Sequence, residues 1–226
     1  MSTDRRSFLT QLGAGVTAAG VVGRVELANA QSSSTSFKPA KHAQDDWMDK
    51  LPGKHRMVFD TTTPGAFGAA LLYANNFANA SKDGYGLGEQ DNAMIIIARH
   101  FSTPFAYNDA MWAKYGKLFP PFAALDDPKT KTRPSVNLFA VVPGSADLPS
   151  LGTTIPDVLK KGTHFAVCQM ATTFFAGMLA QGSGSTQDAV FKELTSNLIP
   201  NAHMAAAGIV AVNRAQEHGF TLATAL

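Results

Sequence analysis

Two side chains whose types could do chemistry, a thiol and an imidazole, stand where apolar stretches of the chain stop: Cys168 and His100. Cys168 is the sole cysteine and closes the run Gly162-Thr163-His164-Phe165-Ala166-Val167. Phe165 to Val167 has the make-up of a short buried strand of a parallel sheet. From Met170 the chain is rich in Ala, Met, Leu and Phe, which suits a buried helix. A thiol at that junction meets the free N–H groups of a helix start, where a thiolate is favoured. Open α/β sheets also collect ligands along this edge. The competing expectation is a small apolar filler, because free Cys is among the most buried residue types.

His100 follows Asn92-Ala93-Met94-Ile95-Ile96-Ile97-Ala98-Arg99, the strongest strand pattern in the chain. Its apolar residues run on without alternating, so both faces should be buried, as in a central parallel strand. His100 then stands at the same sheet edge as Cys168, where an imidazole tunes a thiol or ligates a metal. The alternative is a histidine that caps the following loop. His164 shares a strand with Cys168, four residues earlier, and at the rise of a strand lies about 13 Å away. His203 and His218 are expected at the surface or at helix ends.

No HxxxH, CxxC or His-x-Glu cluster is present, so no dedicated metal site and no cofactor are expected. A Cys168–His100 pair holding haem or copper is the one metal option. Gly84-Tyr85-Gly86-Leu87-Gly88 precedes a strand instead of joining a strand to a helix, and reads as a turn, not a phosphate cradle. Thr61-Thr62-Thr63 could turn hydroxyls to the cleft, with at least one used as a helix cap. Gly182-Ser183-Gly184-Ser185 has a linker composition and no strand before it, so it is no nucleophile elbow.

The elements that must position Cys168 and His100 alternate. A strand is expected over Arg56–Asp60, then a helix from Pro64, capped by Thr63 and ending near Lys82-Asp83-Gly84. After the Asn92–His100 strand come a helix near Pro104–Tyr115 and a short helix over Thr154–Lys161. The Cys168 strand leads to helices near Met170–Gln181, Thr186–Asn197 and Ala202–Glu217, with a last strand at Phe220–Ala223. This pattern predicts one three-layer α/β/α domain with a mostly parallel sheet of about five strands over residues 55–226. The proline-rich region 117–150 is expected as a long loop that covers the cleft, with Val136 to Val142 as a possible extra strand.

Ahead of the domain, Thr3-Asp4-Arg5-Arg6-Ser7-Phe8-Leu9 has the form of a twin-arginine export signal. A weakly apolar stretch from Leu12 to Gly23 and a small-residue cleavage site at Ala28-Asn29-Ala30 follow. Residues 1–30 are therefore expected to be a signal peptide, and the protein periplasmic or secreted. An uncleaved anchored form is the alternative. Residues 31–54 read as a flexible leader, with a short helical turn at Asp45–Lys50. The chain carries a net charge of +2, and +1 once residues 1–30 are removed. That balance points to neither nucleic acid nor an anionic membrane as partner. A single cysteine forms no internal disulfide, so it is buried, reactive or paired with another molecule.

The stretch Leu159-Lys160-Lys161-Gly162 into His164-Phe165-Ala166-Val167-Cys168-Gln169-Met170-Ala171 resembles the DsrE/DsrF-like family, including its TusD and YchN types. So does the tail, with Ile199-Pro200, Ala206-Ala207-Gly208 and Arg214-Ala215-Gln216-Glu217-His218-Gly219-Phe220. The resemblance spans about residues 55–226, with 117–150 as an insertion. It implies a three-layer fold, a homo-oligomer (trimer or hexamer), and sulfur relay in which Cys168 accepts a persulfide and passes it on. A donor or acceptor protein, or a small thiol, would be the partner. The segments Arg99–Pro104 and Asn108–Trp112 differ from the small relay members and mark a distinct exported branch. Two functions remain open on these residues: sulfur or thiol handling through Cys168, and a non-catalytic ligand- or cofactor-binding module in which Cys168 is inert.

Overall fold

The computed structural model describes residues 38–141 and 146–226; the expected signal peptide and the first part of the leader lie outside them. Five strands form one sheet: β1 (His55–Thr61), β2 (Asn92–Ala98), β3 (His164–Cys168), β4 (Ala202–Ala205) and β5 (Thr221–Thr224). Their order is β4-β3-β2-β1-β5, and every pairing is parallel. The sequence thus gives the expected three-layer α/β/α fold. Central β2 is buried at all seven positions, which is why its apolar run does not alternate.

The helices are α1 (Asp46–Lys50), α2 (Pro64–Tyr85), α3 (Asp109–Tyr115), α4 (Leu138–Val141), α5 (Ile155–Lys160), α6 (Gln169–Ser183), α7 (Gln187–Ser196) and α8 (Gly208–Glu217). Among these described helices none is long and apolar enough to cross a membrane. One face of the sheet carries the larger core, where Phe59, Met94, Ile96, Phe165 and Val167 pack against α2, α3 and α5 to α7. The opposite face is thin. There Val58, Ile95, Ile97 and Ala166 meet Met48 and Leu51 near α1 and Ala211, Val212 and Ala215 of α8. Steps from β1 to β4 move one way with helices on the thick face. The return from β4 to β5 moves the other way with α8 on the thin face, so all crossovers keep one hand.

Local signals start these helices. Thr63 accepts a hydrogen bond from the Ala66 N–H at 3.1 Å, and Pro64 takes the first helical position. Thr154 and Asp157 cap α5 reciprocally. Gly86 ends α2 at φ 67°, a conformation that suits glycine.

Three expectations need correction. Residues 202–217 are not one helix: Ala202–Ala205 pair with β3, and only Gly208 onward is helical. In region 117–150 none of the described residues lines the cleft, although Phe122 packs on the cleft residue Phe101, and 136–141 contributes no strand. Its described residues instead build core: Phe119, Leu138 and Phe139 are buried on the thick face. Asn137 fastens it, donating from Nδ2 to the carbonyls of Phe105 (2.8 Å) and Tyr107 (3.1 Å) while Oδ1 accepts the Phe139 N–H. Aromatic burial, worth about 2 kcal/mol per ring, outweighs the loop-like composition.

The stretch before His55, expected as flexible leader, is fastened from Pro39 onward as a strap on the thin face. Arg214 binds Asp45 at 2.7 Å and the Ala40 carbonyl at 2.7 Å. Arg56 donates to the carbonyls of Met48 and Leu51, and His218 bonds Asp49 at 2.6 Å. The expected short helix at 45–50 is present as α1.

Candidate functional site

The C-terminal ends of the strands open on a cleft of about 440 Å³. Cys168, the last residue of β3, is also the N-cap of α6. Its Sγ accepts the Ala171 N–H at 3.4 Å, so the sulfur lies at the helix start with a donor aimed at it. That arrangement stabilises negative charge on sulfur. The thiol lines the cleft although the residue is only 7% exposed. The backbone behind it is pinned: Thr172 Oγ1 donates to the Cys168 carbonyl at 3.0 Å, and the buried Tyr107 hydroxyl donates to Thr172 at 2.9 Å. Burial pushes the Tyr107 phenol well above its ordinary range, so it remains a hydroxyl donor.

His100 lies on the same cleft but not in β2, which stops at Ala98. It opens a 3₁₀ turn, His100–Ala106, with φ 56°. A non-glycine residue there is strained by about 1 kcal/mol, and such strain tends to gather at functional sites. The imidazole rests on Phe101, with ring centres 3.7 Å apart. Among the described residues no hydrogen bond links His100 to Cys168, so the two share a cavity and not a contact.

Arg99 lines the same cleft and was not expected there as a site residue. Asp60, at the β1 end, grips it with two bonds, Nε to Oδ1 at 2.7 Å and Nη2 to Oδ2 at 2.8 Å. That carboxylate raises the Arg99 pKa further, with a smaller push from Cys168. Nη1 has no protein partner among the described residues and is free for an anionic or carbonyl group in the cleft. Gly208, at the start of α8, lies against the Arg99 stem so closely that a Cβ would collide with it. The available signal was one charged residue interrupting each of two apolar strand ends.

The remaining walls are apolar. Phe101, Met170, Phe174 and Ile209 line the cleft, and the last three are 69%, 51% and 60% exposed. Exposed large apolar side chains converging on one opening mark a binding surface. Thr61, by contrast, turns inward to the Ile97 carbonyl and Ser102 and offers nothing to the cleft.

His164 sits at the other end of β3, away from the cleft. It meets His203 of β4 with Nδ1 and Nε2 3.0 Å apart. His203 is therefore on a strand and not at a helix end, whereas His218 does sit at the end of α8. Among the described residues no group of three or more His, Cys, Asp or Glu converges as a metal centre. Comparison with protein-family models, with curated proteins and with solved structures finds no match for this chain.

Proposed function

We propose that this is an exported, DsrE-like protein that carries or transfers sulfur through Cys168. The observation that supports it most is the placement of the one thiol: on a cleft, at a helix N-cap, with an N–H donor on the sulfur. In the transfer step the Cys168 thiolate attacks the terminal sulfur of a donor persulfide, R–S–SH. The donor S–S bond breaks, its electron pair leaves with R–S⁻, and Cys168 becomes the persulfide. Arg99 Nη1 and the α6 N–H groups are the positive groups near the reacting sulfur. His100 is the ionisable group available to exchange a proton with the leaving thiolate. The apolar walls favour a partner that presents hydrophobic surface beside its sulfur, from a donor or acceptor protein or a small thiol. A trimer or hexamer is the assembly this reading brings with it.

A second reading is favoured by the 7% exposure of Cys168 and the apolar lining: a binding module whose cleft holds a small ligand, with the cysteine inert. Intact-mass measurement on the folded chain separates the two. Sulfur handling predicts fast alkylation at neutral pH, and a gain of about 32 Da, one sulfur atom, after exposure to a persulfide donor. A thiol that stays unmodified until the protein is denatured would overturn it.

A further inference from the structure

The pair His164–His203 lies outside the thiol cleft and has no part in the chemistry proposed there. His164 opens β3 and His203 lies on β4, an edge strand. Register places His203 beside Ala166, so both imidazoles project from the thin face of the sheet. Nδ1 of one meets Nε2 of the other at 3.0 Å, and the rings are within 11° of coplanar with centres 5.2 Å apart. That separation is the N···N contact plus the two ring radii and little else. The two nitrogens therefore lie on the line between the ring centres, lone-pair direction against lone-pair direction, with one proton between them. Trp47 of α1 stacks over His203 at 3.9 Å and 7°, and its centre is 6.0 Å from that of His164. The indole face thus lies nearer the midpoint of the pair than 6.0 Å, within the range at which indole attracts a cation.

We infer that His164 and His203 form a two-coordinate site for Cu(I), in which the ion takes the place of the shared proton and the Trp47 indole covers it. The donor set selects the metal. Two collinear imidazole nitrogens satisfy a monovalent d¹⁰ ion, whereas Zn²⁺ takes four ligands and Cu²⁺ a square of them. No third His, Cys, Asp or Glu joins the pair among the described residues. Metal–nitrogen bonds of ~2 Å require the N···N gap to open by roughly 1 Å. His203 can give that distance, because β4 has no strand on its far side. The displaced proton moves by exchange with solvent to the other ring nitrogen of the same imidazole, so both ligands stay neutral and the site keeps the single positive charge of the ion under the indole.

The test uses Ag(I), the redox-inert analogue of Cu(I), on the full chain carrying Cys168→Ser, which removes the competing thiol. Native mass spectrometry is expected to show one Ag(I) per chain and no Zn(II), with Trp47 fluorescence quenched in step. His203→Gln or His164→Gln in that background should abolish the quenching and cut Ag(I) binding at least tenfold. Imidazole ¹⁵N shifts on the Cys168→Ser chain itself, which need no histidine variant to fold, should move at Nδ1 of His164 and Nε2 of His203. Failure of Cys168→Ser to bind Ag(I), binding indifferent to both histidines, or ¹⁵N shifts confined to other histidines would each overturn the assignment.

Discussion

The two ends of β3 carry a thiol and an imidazole in opposite conditions. Cys168 ends the strand where the sheet opens, beside a helix start, a free guanidinium nitrogen and exposed apolar walls. His164 begins it under an indole, with its lone pair already engaged by His203. Both lie on the same side of the strand, four residues apart. The first end has donors without a partner; the second has groups already paired and a hollow half the size, about 220 Å³ against 440 Å³. The contrast shows how a parallel sheet leaves its C-terminal edge open for a ligand while the two histidines at its N-terminal edge satisfy one another.

The sharpest way to break this comparison is to exchange the ends' chemistry. Cys168→Ser should remove all thiol modification and sulfur uptake, while His164→Gln leaves the alkylation rate of Cys168 unchanged; a slower rate in His164→Gln would mean the ends are coupled. Next in size, Asp60→Asn strips Arg99 of its partner. Arg99 is a quarter exposed, so water relieves part of the penalty and the cost should be about 2 kcal/mol in urea denaturation. The same variant should alter thiol reactivity, because Arg99 would then swing in the cleft.

Acid should act on the histidine end first. The folded-state pKa of His203 is lowered by burial to about 4 from an ordinary 6.5, and that of His164 is lowered too. Between those values the unfolded chain binds more protons, so stability falls as pH drops from 6.5 towards 4. Asp49, Asp157 and Glu193 are held below their ordinary values by hydrogen bonds, and their contributions fade only below about pH 4.5. Urea midpoints measured across pH 4.5–6.5 should therefore slope in the wild type and flatten in the double variant His164→Gln/His203→Gln. The smallest effect belongs to Tyr107→Phe. It deletes the donor to Thr172 behind Cys168 and should cost about 1 kcal/mol, read from the thermal midpoint.

What the sequence made legible was whatever depended on neighbours along the chain. The unbroken apolar run of β2, the Thr63-Pro64 helix start and the strand-to-helix junction at Cys168 are all local patterns. Cys168 and His100 were both expected at one sheet edge, and both line the same cleft there. Strand β4 was lost because Ala202-His203-Met204-Ala205 is short and made largely of helix formers, and only pairing with β3 makes it a strand. Region 117–150 reads as loop because Phe119, Leu138 and Phe139 are buried without any periodic spacing. The Arg99–Asp60 grip and the imidazole pair join residues 39 positions apart in sequence, and only the strand order brings them together.

The strap at 39–54 is held by residues some 170 positions further along the chain. Trp47, Met48 and Leu51 find their cover on β4, α8 and the turn at Phe220. During synthesis those side chains emerge long before their partners at 203–220. Closure of the thin face must therefore wait until that segment has left the ribosome. The thick face, whose helices arrive between its strands, can begin to assemble well before.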